Sequence, residues 1–219
     1  MSEMKPFFKQ VQSHYDLSDE FFELFLDPTR TYSCAYFEDP QATLEQAQMA
    51  KIDLSLGKCK LLPGMKLLDI GCGWGATAIR AAEKYQANVI GLTLSENQYQ
   101  YCTRRAGELA GPETAEFRLQ GWEDFNEPVD RIVSIGAFEH FRNSRHEAFF
   151  QRCREILPAD GVMMLHSIVT TSLADLRDQG IPYTQEDVRF AKFIRDEIFP
   201  GGQLCAPVVF RSCVGLIFC

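Results

Sequence analysis

One short run of residues has the types and spacing of a small-molecule site. The segment Leu67-Leu68-Asp69-Ile70-Gly71-Cys72-Gly73-Trp74-Gly75 combines an apolar stretch, a carboxylate and glycines at every second position. This order predicts a strand, a tight turn and a helix that begins near Trp74. The glycines let the backbone turn sharply and let a ligand approach closely, and the start of the helix attracts a carboxylate or phosphate. The segment therefore predicts a site for a nucleoside-bearing small molecule on a doubly wound sheet.

The same glycines also fit a dinucleotide fingerprint. The segment 71–76 matches the pattern G-x-G-x-x-G/A, so an NAD site competes with other nucleoside sites. A dinucleotide site needs an acidic residue at the end of the next strand, about 20 residues further on. The next predicted strand, 88–93, ends in Thr93, and Glu96 belongs to the following helix. Asp69, two positions before the first glycine, favours S-adenosylmethionine, and a glycine-rich turn without a ligand fits this spacing least well.

Three further side chains are candidates for chemistry. Glu139 lies in the segment 136–141, directly after a predicted strand and between two phenylalanines, so it can serve as a base in a water-poor loop. Capping of the next helix explains this carboxylate equally well. Cys34 and His166 have core positions as their default interpretation, because a buried cysteine is usually a small apolar residue and His166 ends an apolar strand.

The elements that must position these residues alternate along the chain. Residues 1–60 carry no strand signal and form a helical N-terminal cap, with helices predicted at 19–26 and from Thr43 to about residue 56. From residue 61 the chain alternates between strands and helices. The predicted strands are 66–71, 88–93, 116–119, 131–135 and 162–166, and the predicted helices are 74–86, 95–110, one capped at Ser144, and 185–198. This alternation predicts an α/β fold with a mainly parallel, helix-covered sheet over 61–204, including a helical segment at 169–200.

Composition excludes several functional classes. The chain has 219 residues and a formal net charge of −8, without a basic block, which argues against nucleic acid as a partner. No leader sequence and no apolar stretch of membrane-spanning length is predicted. Eight cysteines without a C-x-x-C pair predict neither a metal site nor a disulfide scaffold. We therefore expect a soluble cytoplasmic protein.

Seven segments occur in an order that is typical of one family. They are 14–22, 32–37, 69–75, 91–95, 121–123, 136–141 and 199–202. Together they resemble the cyclopropane fatty-acid synthase family, most closely its cyclopropane mycolic acid synthases, over residues 5–204. The resemblance implies the Rossmann-like fold of class I methyltransferases and S-adenosylmethionine-dependent methyl transfer to double bonds of very long acyl chains, with an acyl carrier protein as a candidate carrier of the chain.

The resemblance also implies roles for individual residues. It implies cofactor contacts from His14 and Tyr15 at the N-terminal closure, Tyr32, Ser33, Asp69, Gly71 and Gly73 at the methionine part, Thr93 and Gln98 at the ribose, and Trp122 and Glu123 at the adenine. It further implies a bound bicarbonate base, held by Cys34, Glu139 and His166. That base takes the proton whose loss closes the cyclopropane ring, whereas other outcomes give methyl-branched or hydroxylated products.

The last fifteen residues depart from the pattern. Residues 205–219 hold three of the eight cysteines and show neither strand alternation nor a helical stripe. The family continues with further strands and a tyrosine of the bicarbonate site, so an aberrant tail and the loss of the last strands are expected here. This leaves an alternative function: a non-catalytic remnant that at most binds S-adenosylmethionine.

Overall fold

A computed structural model describes residues 4–109 and 114–205 of the chain. Five strands form one parallel sheet in the order β3-β2-β1-β4-β5. They are β1 (Lys66–Ile70), β2 (Asn88–Thr93), β3 (Ala115–Leu119), β4 (Arg131–Ile135) and β5 (Val162–His166). The order reverses between β1 and β4, and in parallel sheets the crevice at this switch point is where ligands bind. The predicted parallel α/β sheet is confirmed.

Eight α-helices surround the sheet in the described residues. They are α1 (Phe8–Tyr15), α2 (Asp19–Glu23), α3 (Leu44–Lys58), α4 (Ala76–Tyr85), α5 (Glu96–Ala106), α6 (His146–Ile156), α7 (Leu173–Asp178) and α8 (Gln185–Phe193). A π-helical turn at Ile194–Ile198 extends α8, so the helix predicted at 185–198 is confirmed. The first three helices precede the sheet in the chain, as the predicted cap requires.

The core lies on both faces of the sheet. Leu67 and Val89 belong to one buried cluster with residues of α3 and α4. The next residues along the same strands, Leu68 and Ile90, belong to a second cluster with Phe149 of α6. Successive side chains of a strand point to opposite faces, so both faces of this sheet are covered.

Several element boundaries differ from the predictions. Helix α1 was not predicted as a separate element, because it is short and largely polar. Helix α7 lies inside the helical segment expected at 169–200 but was not predicted as a separate helix, and the helix after the glycines begins at Ala76. The expected cap at Ser144 is wrong, since a 3₁₀ turn occupies Asn143–Arg145 and α6 begins without a side-chain cap. The box at Thr43 forms in full. At Ser95 the hydroxyl caps the helix, but the Gln98 side chain accepts from Thr93 instead.

Beyond β5 the chain makes one further parallel contact. Val169 and Cys205 form an isolated bridge, and the Thr170 amide donates to the Cys205 carbonyl at 3.0 Å. The predicted aberrant tail lies, apart from Cys205, outside the described residues. Within 4–109 and 114–205, each helix is too short or too polar to cross a bilayer.

Candidate active site

A cavity of about 1060 Å³, including its open mouth, lies at the carboxyl ends of β1, β2 and β4. It lies at the switch point of the sheet, between β1 and β4. Ten of the eleven predicted cofactor residues line it: Tyr15, Tyr32, Ser33, Asp69, Gly71, Gly73, Thr93, Gln98, Trp122 and Glu123. The exception is His14, which packs behind the wall against Tyr32, with 5.9 Å between the ring centroids.

The turn after β1 requires glycine at position 71. Gly71 has a φ of +77°, and a Cβ built there would lie 2.3 Å from the Cβ of Ala137. The amides of Gly71 and Cys72 both donate to the Leu92 carbonyl at 2.9 Å. The turn therefore passes over the end of β2 and packs directly against the loop after β4, which leaves no space for a side chain at this point.

Asp69 is a buried carboxylate on the cavity wall. The residue is only 2% exposed, and its Oδ2 atom has no hydrogen-bond partner within the described residues. Burial raises the pKa of this carboxyl to about 7. A buried acceptor without a partner is costly, so Asp69 suits a ligand that brings an N–H, an O–H or a positive charge.

Asp69→Asn is expected to stabilise the ligand-free protein, and the gain should grow with pH. A carboxyl with a raised folded-state pKa of about 7 binds a proton more tightly in the folded chain, whereas the unfolded value is about 3.9. Stability is therefore lost as pH rises from about 4 to about 7, by at most roughly 4 kcal/mol, and asparagine avoids this loss. Urea unfolding at about pH 4 and about pH 8 checks this. The prediction would be contradicted if the free energy of unfolding differed between variant and wild type by the same amount at both pH values.

Polar residues at the end of β2 bond to each other. The Thr93 hydroxyl donates to Gln98 Oε1 at 2.7 Å and accepts from the Ser95 amide at 3.1 Å. Both Thr93 and Gln98 are buried and line the cavity. The two predicted ribose contacts are therefore brought together, with their geometry fixed before any ligand binds.

The predicted adenine contacts form the far end of the cavity. Trp122 is buried, and Glu123 Oε1 accepts from Arg145 Nη1 at 2.9 Å. Burial raises the pKa of Glu123, and Arg145 opposes this shift. The end therefore combines an indole face with a carboxylate acceptor, which suits a flat base carrying an amino group.

Residues before α1 cover this end of the cavity, and no sequence pattern predicted this role for them. A Cβ on Gly121 would lie 2.5 Å from Pro6 Cγ. Arg145 Nη1 donates to the Lys5 carbonyl at 2.8 Å, and its guanidinium carbon lies 3.9 Å from the centre of the Phe7 ring. Phe7 lines the cavity. Arg145 thus joins the N-terminal segment to Glu123.

A second missed group lies on α3 and holds the loop that contains Tyr32 and Ser33. Gln48 Nε2 donates to the carbonyls of Thr31 at 3.1 Å and Ser33 at 2.8 Å. Lys51 Nζ donates to Ser33 Oγ at 2.6 Å. Gln48 and Lys51 are both buried, and Lys51 lines the cavity. The sequence feature that could have indicated this group is a polar glutamine and lysine on the inner face of α3.

The three predicted catalytic residues lie beside the cavity rather than on the wall described above. Glu139 is buried, and its Oε1 accepts from the Ile168 amide at 2.5 Å. Glu139 Oε2 and His166 Nδ1 are buried without hydrogen-bond partners in the described part of the chain. Burial and the charge of Lys51 lower the pKa of His166, while the charge of Glu139 raises it. The Glu139 carboxylate is therefore held at the backbone two residues after His166.

Cys34 follows Ser33, the residue whose hydroxyl accepts from Lys51. Its side chain is exposed, and its charge would raise the pKa of Lys51. The default interpretation of Cys34 as a buried core residue is therefore wrong. The structure thus places Glu139 against the segment that follows β5 and His166, and Cys34 directly after the cavity residue Ser33.

An aromatic cluster lies at the cavity wall next to Glu139 in the chain. The Tyr15 hydroxyl and His140 Nε2 form a hydrogen bond of 3.2 Å, and Tyr15 and His140 line the cavity. Phe199 packs against His140, with 5.8 Å between the ring centroids. Burial, reinforced by His14, lowers the pKa of His140 to about 4, so this imidazole is neutral at pH 7. The cluster can exclude water from a reacting group.

Comparison with known proteins agrees with this geometry. A family model described as mycolic acid cyclopropane synthetase matches residues 2–212. Cyclopropane mycolic acid synthase 1 of Mycobacterium tuberculosis is 56% identical over 211 residues, which are 96% of this chain and 74% of that protein.

Solved structures show the same likeness. The cyclopropane synthase MmaA2 from Mycobacterium tuberculosis superposes with a TM-score of 0.94 at 56% identity, covering 97% of this chain and 74% of that one. The mycolic acid cyclopropane synthase CmaA1, complexed with SAH and CTAB, gives 0.93 at 55% identity with the same coverage. The fold is therefore the Rossmann-like fold of class I methyltransferases, and the chain belongs to the mycolic acid cyclopropane synthetase family.

Proposed function

We propose that this chain transfers a methyl group from S-adenosylmethionine to a double bond of a long, mycolic-type acyl chain, forming a cyclopropane or methyl-branched product. The observation that carries the proposal is the cavity at the switch point. It combines a side-chain-free turn at Gly71, an unpartnered carboxylate at Asp69 and an indole with a carboxylate at Trp122 and Glu123. This set matches a nucleoside that carries an amino acid. The relatives named above are cyclopropane mycolic acid synthases.

The protein's own residues would bind and orient the cofactor. The turn at Gly71 and Gly73, with the loop at Ser33, would hold the amino-acid part, and Thr93 and Gln98 would meet the ribose. When bound, S-adenosylmethionine supplies an electrophilic methyl group. An alkene is a weak nucleophile, so the protein must align the two groups and exclude water.

Aromatic side chains would line the path of the reacting double bond. Tyr15, Tyr32 and His140 line the cavity. Methyl transfer leaves a positive charge on the acyl chain, and ring faces stabilise a cation by about 0.5 to 2 kcal/mol each. The neutral state of His140 avoids placing a second positive charge beside it. The cluster therefore suits the formation of a carbocation.

Glu139 and His166 would hold a bicarbonate ion. Two buried polar atoms without partners in the described chain, Glu139 Oε2 and His166 Nδ1, fit such a group, with Cys34 nearby. That ion would supply the base for the proton lost when the ring closes. Glu139 also accepts from the Ile168 amide, so its carboxylate is held in one orientation.

The first test is calorimetric titration of the purified chain with S-adenosylhomocysteine. We expect saturable binding that Asp69→Ala weakens strongly, because the alanine variant removes a buried acceptor from the wall. NADH should not bind. An absence of binding, or binding of NADH in its place, would contradict the proposed cofactor.

The second test measures the reaction. The chain is incubated with S-adenosylmethionine carrying a labelled methyl group and with cis-unsaturated long-chain acyl substrates, either free or on an acyl carrier protein. We expect a product heavier by one CH₂, and proton resonances of the ring distinguish a cyclopropane from a methyl branch. Saturable cofactor binding with no transfer to any substrate would support the alternative of a protein that only binds the cofactor.

A further inference from the structure

Lys51 is a buried ammonium group on the wall of the cavity. It lies on α3, is only 4% exposed and lines the same cavity as Ser33, Asp69 and Gly71. Lysine is almost never fully buried unless it is paired, because removing an ammonium from water is costly. Its position therefore requires an explanation.

The partners of Lys51 in the protein are neutral. Its Nζ donates to Ser33 Oγ at 2.6 Å and to Gln48 Oε1 at 2.8 Å, which uses two of its three N–H bonds. No carboxylate of the described chain lies within 4.0 Å of this nitrogen. The ammonium therefore has hydrogen bonds but no direct counter-ion.

Asp27 is the acidic residue whose charge most supports Lys51, but its oxygens are already occupied. Its Oδ1 accepts from the Thr31 amide at 3.0 Å, and its Oδ2 accepts from the amide and hydroxyl of Thr29 at 2.9 and 2.6 Å. Burial lowers the pKa of Lys51 to about 8, while Asp27 and Cys34 oppose this shift. Lys51 is thus largely protonated at pH 7, and its third N–H is available to a ligand.

The charges on this wall match an amino acid. Asp69 offers an unpartnered carboxylate oxygen on the same cavity, suited to a ligand's ammonium group, and Lys51 offers the opposite charge. The adenosine part of S-adenosylmethionine carries no negative charge, so its only anionic group is the carboxylate of the amino-acid part. Resting on the proposed function, we infer that Lys51 binds this carboxylate together with Ser33, and that the pair Lys51 and Asp69 selects a zwitterionic ligand.

The test compares two ligands that differ only in the carboxylate. Calorimetry measures the affinity of the full chain for S-adenosylhomocysteine and for its decarboxylated analogue. Lys51→Met is expected to weaken the binding of S-adenosylhomocysteine by about 10- to 100-fold, because one charge-assisted hydrogen bond is lost. The decarboxylated analogue should keep its affinity within about twofold, because it lacks the group that Lys51 contacts. Lys58→Met, on the same helix but off the cavity wall, is the matched control and should leave both ligands unchanged.

A second comparison, made in the Ser33→Ala variant, distinguishes a direct contact between Lys51 and the ligand from an effect of Lys51 on the Ser33 side chain. If Lys51 acts only by holding the serine hydroxyl, Lys51→Met should have no further effect in a Ser33→Ala protein. We expect the further loss to remain at least about tenfold there. Three results would overturn the inference: an equal loss of affinity for both ligands, no loss of affinity for either ligand, or no further loss when Lys51→Met is added to Ser33→Ala. Failure of the wild-type chain to bind S-adenosylhomocysteine would instead end the proposed function, and the inference with it.

Discussion

Glu139→Gln is expected to reduce methyl transfer by about a hundredfold or more while leaving the affinity for S-adenosylhomocysteine unchanged. The side chain is buried beside His166 and does not line the cavity wall where the cofactor would lie. Glutamine has the same shape, and its Oε1 can still accept from the Ile168 amide. Only the charge and the acceptor at Oε2 are lost. The measurement is the initial rate of labelled methyl incorporation, with binding followed by calorimetry.

The matched control is Glu147→Gln, an exposed carboxylate on α6. It changes the net charge by the same amount as Glu139→Gln and should leave the rate of methyl transfer unchanged. Thermal unfolding of both variants excludes a general loss of structure. If Glu139→Gln retained full activity, Glu139 would have no part in the proton transfer, and its capping of the neighbouring loop would be its whole role.

Gly71→Ala is expected to abolish cofactor binding and to lower the free energy of unfolding by roughly 2–5 kcal/mol. The new Cβ would lie 2.3 Å from the Cβ of Ala137, and the φ of +77° is unfavourable for alanine. Both the turn and the loop after β4 would have to move, and both form the cavity wall. Urea unfolding measures the stability, and calorimetry with S-adenosylhomocysteine measures the binding.

Two variants separate the clash from the backbone cost. Gly64 has a similar φ of +80°, and a Cβ there would have no atom within 4 Å. Gly64→Ala should therefore lower the free energy of unfolding by only about 1 kcal/mol and leave the binding of S-adenosylhomocysteine unchanged. Adding Ala137→Gly to Gly71→Ala removes the contacting methyl group and should restore part of the stability. If Gly71→Ala behaved like Gly64→Ala, the close contact at position 71 would have no energetic consequence.

The parts of the molecule that were predicted are those that local sequence determines. Asp69 and Gly71 follow an apolar strand within a few residues, so their types indicate both the turn and the site. The Thr43 capping box is likewise local and forms as predicted. The Ser144 cap was wrong because a 3₁₀ turn, formed in the tertiary context, occupies the same residues.

Residues that act across the fold were not predictable in this way. Lys51 reaches the cavity because α3 packs beside a loop some 18 positions earlier in the chain. Arg145 bonds both to Glu123 and to the backbone carbonyl of Lys5, which is 140 positions before Arg145 in the chain. Nothing in the spacing of a single lysine or arginine identifies such partners, because the partner is chosen by packing and not by neighbouring residues.

The triple contact of Arg145 has a thermodynamic consequence. The same guanidinium holds the Lys5 carbonyl, the Phe7 ring and the carboxylate of Glu123, at the end of the cavity that we propose for adenine. If a ligand that engages Glu123 alters the bond between Glu123 and Arg145, the anchoring of Lys5 and Phe7 changes with it, and by reciprocity that anchoring changes the affinity for the ligand by the same factor. The anchoring of Lys5 and Phe7 and the occupancy of this end of the cavity are then one linked equilibrium, so the rate of proteolysis near Lys5 should report how much of the protein is bound.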